Sequence, residues 1–304
     1  AGDWEGMIPL IMKQAPLMLA QGRYRPLEEW LDILPKEMLE NDPWLLYWKG
    51  ASRFPFDPSA AQAHFEKAFE QFKIQDNLPG ILLAWSSILE SILWGFESPS
   101  YLDHWIQIFP EIPENPGESI PPKVWILVVS SMVNALTFYQ RSEHSKIEEW
   151  VRRAASIVKG PGNFIVKAQI LSGMVNWYLV IGDHGQSMLA IQALQHLAQS
   201  NQASPVIVIL TRYAEAIHYQ TTSDHEKCLK AVSDGLMVSE NSGIVALYYF
   251  LTEIAILSCQ NAGDHQMADI MLQKIISSWD RLSLFDKAIY YFCQTRQYLL
   301  RSDL

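Results

Sequence analysis

Four histidines stand beside acidic residues at nearly even spacing: Glu143-His144, Asp183-His184, Asp224-His225 and Asp264-His265. Imidazoles and carboxylates are zinc donors, so a ladder of metal sites is the first chemistry this pattern raises. Donors must converge to within about 2 Å of one ion. Equivalent positions on packed helical units stand on the order of 10 Å apart. The histidines therefore read as turn residues at helix starts. Cys228, three residues after His225, raises a thiol nucleophile. It sits in an apolar helical stretch, and the chain has no Gly-x-Ser-x-Gly elbow. The carboxylate pairs Glu28-Glu29 and Glu148-Glu149 are expected on outward, solvated helix faces. None of these groups makes a catalytic constellation, so a non-enzyme without metal or cofactor is expected.

Charge narrows the field further. Among 304 residues, 23 Lys and Arg face 33 Asp and Glu, leaving a formal net charge of −10. Gripping phosphates needs clustered cations, so this segment is not expected to contact nucleic acid directly. Cys228, Cys259 and Cys293 are few, odd in number and set among apolar residues. They read as buried thiols in a reducing compartment. The opening Ala1-Gly2-Asp3-Trp4-Glu5 lacks the basic-then-apolar pattern of a secretory leader. The longest uncharged run, Val124 to Gln140, is short for a bilayer span and carries Ser130, Ser131, Asn134 and Thr137. It is expected as a buried helix. A cytoplasmic segment with no membrane contact, excised from a larger protein, is the resulting expectation.

The elements that position these residues follow from the same acidic markers. Ser142-Glu143-His144, Gly182-Asp183-His184, Ser223-Asp224-His225 and Gly263-Asp264-His265 are variants of one tripeptide. Their acidic residues, at 143, 183, 224 and 264, step by 40, 41 and 40. Weaker copies stand at Glu97 and Asp57, with a first turn at Gly22-Arg23. A fixed period of this length means stacked supersecondary units. In each unit an apolar helix ends at Gly or Ser. The acidic residue then caps a second helix, its carboxylate meeting free backbone N–H groups. That helix is amphipathic: Leu229, Val232 and Leu236 form a stripe, with Glu226, Lys227 and Lys230 outside it. Four positions after the marker stand small residues, Ala61, Ser187, Cys228 and Ala268. Eight after stand large ones, Phe65, Trp105, Ile191, Val232 and Leu272, a role Trp30 and Trp150 take in the first and fourth copies. Small residues let backbones approach, and large ones fill the gap to the next unit.

First helices are predicted near 5–20, 43–54, 78–95, 121–140, 163–181, 204–220, 242–260 and 284–300. Second helices are predicted near 26–39, 58–73, 99–109, 144–158, 184–199, 225–239 and 265–280. Pro110 to Pro122 holds five prolines and a glycine. It reads as a long loop at 110–122, either an insertion or a hinge.

Ala61, Phe65 and Ala68 on a second helix resemble the tetratricopeptide consensus, small-x3-large-x2-small. The opening is more specific. Gly22-Arg23-Tyr24-Arg25-Pro26-Leu27-Glu28-Glu29-Trp30-Leu31-Asp32-Ile33-Leu34-Pro35 leads to Asn41-Asp42-Pro43-Trp44-Leu45-Leu46. This resembles the start of the superhelical region in MalT-like regulators. Those are bacterial transcription activators of the LuxR type, within the signal-transduction ATPases with numerous domains. The motif match covers about the first 50 residues, and the repeat period carries it over the rest. The resemblance implies a region that follows a nucleotide-binding switch, precedes a helix-turn-helix, and senses an inducer or inhibitory protein. This chain departs from the whole pattern, with no Gly-x4-Gly-Lys-Ser/Thr phosphate loop and no basic recognition helix. Only a sensor or interaction role is implied for it.

The expected fold is all-α: a right-handed superhelical solenoid of about seven tetratricopeptide-like helix hairpins, spanning 1–304 as one domain. Superhelices of this type line their concave surface with first helices. Counting eleven, seven, four and three residues back from each marker places Ser86, Glu90, Trp94, Tyr139, Gln140, Ser172, Asn176, Tyr213, Gln220, Glu253 and Gln260 there. Rings that stack and amides that orient suit a peptide or a sugar. The expected partner is thus a protein or a small effector in this groove. Self-association is expected through the solenoid ends, Trp4 to Met12 and Phe285 to Leu300. The alternative is a general interaction scaffold that binds a peptide segment and has no part in transcription.

Overall fold

The computed structural model describes residues 4–95, 99–109, 120–138, 147–245, 247–282 and 284–301. Its regularity begins at the acidic markers. Asp183 Oδ1 accepts from the Gln186 backbone N–H at 2.9 Å, Asp224 from Lys227 at 3.3 Å and Asp264 from Met267 at 3.0 Å. Asp57 caps its helix in the same way through Ala60, at 3.0 Å. Just before three of these caps the chain turns through a left-handed residue: Gly182 (φ 75°), Ser223 (φ 60°) and Gly263 (φ 76°). The marker's own N–H then reaches back to the preceding helix, Asp183 to Tyr178 O at 2.8 Å, with Asp224 to Tyr219 O and Asp264 to Cys259 O both at 2.9 Å. One short turn thus satisfies the last carbonyls of one helix and the first N–H groups of the next. Glycine takes the left-handed position without a Cβ clash, whereas Ser223 holds it under strain. The turn at Ser142-Glu143-His144 and the marker Glu97 lie outside the described residues.

Among the described residues the chain is helical, without strands. The hairpins are α1 (Trp4–Ala20) with α2 (Tyr24–Asp32) and α3 (Lys36–Asn41); α4 (Pro43–Arg53) with α5 (Pro58–Ile74); α6 (Leu78–Trp94) with α7 (Pro99–Gln107); and α8 (Pro122–Phe138) with α9 (Ile147–Lys159). They continue as α10 (Phe164–Val180) with α11 (His184–Ala198); α12 (Pro205–Thr221) with α13 (His225–Ser242); and α14 (Tyr248–Ala262) with α15 (His265–Ile276). A 3-10 turn, Trp279–Arg281, leads into α16 (Leu284–Arg301). Each helix packs on its neighbours in sequence, and the first helices of successive hairpins touch along the whole series α4, α6, α8, α10, α12, α14 and α16. This is an α-α solenoid.

Three boundaries differ from the sequence reading. The second helix predicted at 26–39 is two, α2 and α3, because Pro35 has no N–H to continue the first. The first helix predicted from 242 begins at Tyr248, since Gly243 in the left-handed region ends α13 at Ser242. The helix predicted over 265–280 stops at Ile276. Of the proline-rich stretch, residues 110–119 lie outside the described residues, and α8 starts at Pro122 as its N1 residue.

The packing columns are buried as the repeat requires. Ala61, Ser187, Cys228 and Ala268 are fully buried, and Phe65, Trp105, Ile191, Val232 and Leu272 cover them. Trp30 is only partly buried, against the first cluster. A large cluster runs from Leu46 to Ala255, flanked by smaller ones over Ile11 to Leu45 and Ile256 to Cys293. Within it Trp85 is completely buried and donates from Nε1 to Trp105 O at 2.8 Å, joining α6 to α7. A ring so placed contributes roughly 3 kcal/mol of burial before entropy. The solenoid also curls: a Cβ placed on Gly22, in the α1–α2 turn, would stand 3.7 Å from the Cβ of Ser204, the N-cap of α12. Residues so far apart in sequence meet only if the stack bends strongly.

Candidate functional site

The polar residues of α6 repeat at one-turn spacing, Ser86, Glu90 and Trp94, so they share a face. On α10, Gln169, Ser172 and Asn176 do the same, and on α8, Ser130 and Asn134. These faces meet. Glu90, Trp94, Asn134, Ser172, Asn176 and Tyr213 line one cavity of about 30 Å3, spanned by α6, α8, α10 and α12. Four consecutive first helices can share a cavity only on the side toward which the stack bends. A second cavity, about 120 Å3, adjoins it and shares Glu90 and Gln169. Its polar wall holds Ser86, Ser130 and Ser131, and Phe54, Phe65 and Leu127 supply its apolar side. Several water-sized groups fit there.

Glu90 is the hinge of this trough. Its side chain is 8% exposed, and Oε1 accepts from Asn134 Nδ2 at 3.0 Å. Among the described residues Oε2 makes no hydrogen bond of full geometry, nor do the buried hydroxyls of Ser86 and Ser130. Burial raises the Glu90 carboxyl from 4.5 to about 7, against the opposing pull of Asn134, Ser131 and Trp94 beside it. Among the described residues no Lys, Arg or His lines either cavity. Gly173 makes the Asn134–Glu90 bond geometrically available. A Cβ at Gly173 would lie 2.2 Å from Asn134 Oδ1, so only glycine lets α10 approach α8 this closely. At the far end Tyr213 Oη donates to Asn176 Oδ1 at 3.2 Å, and burial raises the phenol well above its ordinary value. Trp94 packs on Phe54, with ring centroids 5.1 Å apart.

Six of the residues expected on the concave surface therefore come together: Ser86, Glu90, Trp94, Ser172, Asn176 and Tyr213. Tyr139 and Gln140 lie outside the described residues. Gln220, half-buried in the last turn of α12, lines neither cavity. Gln260 is buried and occupied in packing: its Nε2 donates to Cys293 O at 2.7 Å, and its Oε1 accepts from Arg296 at 2.9 Å. Glu253 is 1% exposed on α14, with no partner on either oxygen. Burial, and then the nearby Asp286 carboxylate, push it up to about 9. Glu253 and Gln260 keep the same interval to their marker, Asp264, but they face α16 and belong to the α14–α16 interface.

Sequence reasoning missed Asn134, Gln169, Ser130 and Ser131. The signal was present as one-turn spacing of polar groups inside otherwise apolar helices. Glu28 also corrects an expectation: it is buried, not outward, and pairs with Lys49 at 3.5 Å, Arg25 at 3.3 Å and Arg53 at 3.6 Å. Asp32 completes this cluster at 2.5 Å from Lys49.

The repeat histidines do have a role, in joining hairpins. His225 Nδ1 meets Ser258 Oγ at 3.1 Å, His265 Nδ1 meets Gln297 Oε1 at 3.4 Å, and the His184 ring lies edge-on to His218, centroids 6.2 Å apart. His218, in turn, bonds Ser187 Oγ at 2.9 Å. Each thus ties the start of a second helix to the following first helix. Among the described residues no group of three or more His, Cys, Asp or Glu is placed to hold a metal. The three cysteines are buried free thiols, with burial raising all three.

Compared with known proteins, the chain matches no protein-family model and no curated protein.

Proposed function

We propose that this chain is a regulatory binding domain whose trough along α6, α8, α10 and α12 receives an effector or a partner segment. One observation carries the reading: Glu90, Trp94, Asn134, Ser172, Asn176 and Tyr213, from four successive first helices, converge on one cavity. Polar atoms left bare in a buried wall are costly unless something meets them. A ligand that bridges several first helices changes the curl of the whole stack. It shifts the molecule between states to the extent that it binds one curl better than another. The resemblance over Gly22 to Leu46 supports placing this sensor in a cytoplasmic LuxR-type, MalT-like transcription regulator, with nucleotide and DNA binding residing outside these residues.

The test is a thermal-shift screen with small sugars and short peptides. A ligand of the smaller cavity raises the melting temperature of the native chain and not of Asn176→Leu, and a ligand of the larger cavity raises that of the native chain and not of Ser130→Leu. A ligand whose shift survives both substitutions together sits elsewhere and overturns the site. The regulatory setting is tested separately, on the parent coding sequence. A phosphate loop upstream and a helix-turn-helix downstream support it. Absence of both leaves the second reading, a general peptide-binding scaffold. That reading draws on exposed apolar groups on α16, Phe292 and Tyr298 among them, as a further contact surface. No helix among the described residues is long and apolar enough to cross a membrane.

A further inference from the structure

The larger cavity beside Glu90 has a specific imbalance. Among the described residues, Glu90 Oε2, Ser86 Oγ and Ser130 Oγ are buried without a hydrogen bond of full geometry, although Ser131 and Trp94 stand close enough to act on the carboxyl, and Glu90, Ser86 and Ser130 all line it. A carboxylate oxygen only accepts hydrogen bonds, and each hydroxyl has lone pairs to offer. Among the described residues the wall contains no cation to balance an ionised Glu90. Phe54, Phe65, Leu127 and Ala51 form the opposite, apolar side.

We propose that this cavity binds a primary ammonium group on a short aliphatic stem, with Glu90 Oε2 and the Ser86 and Ser130 hydroxyls accepting its three N–H bonds. The inference rests on the trough reading above and gives that trough a ligand chemistry. An ammonium supplies three donors and the missing charge in one compact group. The apolar wall of Phe54, Phe65, Leu127 and Ala51 takes the stem. Competing ligands fit less well. A guanidinium is matched by two free carboxylate oxygens, but Asn134 already holds Oε1. Calcium requires six or more oxygens, and magnesium near-octahedral geometry. An anion would meet a buried carboxyl. A neutral polyol can bond the hydroxyls but leaves the charge of an ionised Glu90 unbalanced. The overall charge of −10 raises the local concentration of cations.

The amine has two sources, a free small molecule or a lysine side chain of a partner segment. Isothermal titration near pH 8 with n-butylammonium, Nα-acetyl-lysine methylamide and n-butanol distinguishes them. Saturable binding of both amines is expected, weakened at least about tenfold by Glu90→Gln, and at least about tenfold tighter than n-butanol. A tighter lysine derivative identifies a peptide source, and equal or tighter butylammonium a free amine. Ser130→Ala, which removes one acceptor, is expected to weaken binding severalfold and serves as the second variant should Glu90→Gln melt early. The proposal is overturned if neither amine binds, leaving water as the occupant, if n-butanol binds as well as the amine, or if folded Glu90→Gln keeps full affinity. If sugars or uncharged peptides still shift the melting temperature in that case, the trough reading stands without the ammonium. If no ligand class does, both fall.

Discussion

Glu90 and Glu253 are both buried on first helices of the same repeat, yet their surroundings differ. Glu90 has one oxygen held by Asn134 and the other bare beside a cavity, and it titrates near about 7. Glu253 has both oxygens bare, lines neither of the two trough cavities, and faces a second carboxylate, which together push it up to about 9. Glu215 marks the other extreme: equally buried, it is bonded by Arg212 at 2.7 Å and Gln195 at 2.6 Å. A fully partnered acid holds the stack together. A sealed, unpartnered one persists as the neutral acid. Only the half-partnered acid at a cavity is poised to change state when something arrives.

That contrast can be broken at several points. Glu253 is raised on folding, so its favourable contribution is complete below its ordinary value of 4.5 and is lost as pH rises through about 9. Glu253→Gln removes this dependence. It is expected to stabilise the chain increasingly from about pH 5 to pH 9, on the order of 1 kcal/mol per pH unit, as read by urea unfolding at several pH values. No gain at pH 8.5 would mean that Glu253 is not sealed. Glu90→Gln should show the same sign over a shorter window, ending near about 7 where the carboxyl titrates. A gain that keeps growing above about pH 8 would erase the distinction between the two acids.

Gly173→Ala should cost about 1–3 kcal/mol by forcing Asn134 away. It should also raise the Glu90 titration midpoint, measurable by carboxyl-labelled NMR, because its amide donor is lost. An unmoved midpoint would show that Asn134 does not tune Glu90. The smallest effect is expected from Ser187→Ala, which deletes the buried Ser187–His218 bond. A loss of about 1 kcal/mol in urea unfolding is expected, constant above pH 7, where the His218 ring, held below its ordinary value of 6.5 by burial, is neutral.

Much of the fold was legible because capping is local chemistry. Asp183, Asp224 and Asp264 announce helix starts by type and position, and Gly182 and Gly263 announce the stops. Column residues such as Cys228 and Leu272 were legible because a repeated hairpin must bury the same positions each time. The trough was half legible: Glu90 and Asn176 followed from counting back, while Glu253 and Gln260 obeyed the same count and went into packing. Asn134 was missed because its partner is on another helix. Glu28 was misjudged because Lys49, which buries it, comes 21 residues later.

By itself the sequence determined helices, turns and a period near 40, since these depend on bonds within a few residues and on side chains that recur in register. Tertiary structure alone decided which polar groups go unpartnered. That depends on how closely α8 and α10 approach at Gly173 and how far the stack curls to bring Gly22 toward Ser204. A small change in the angle between successive hairpins accumulates over the whole series, and no local pattern of residues records that sum.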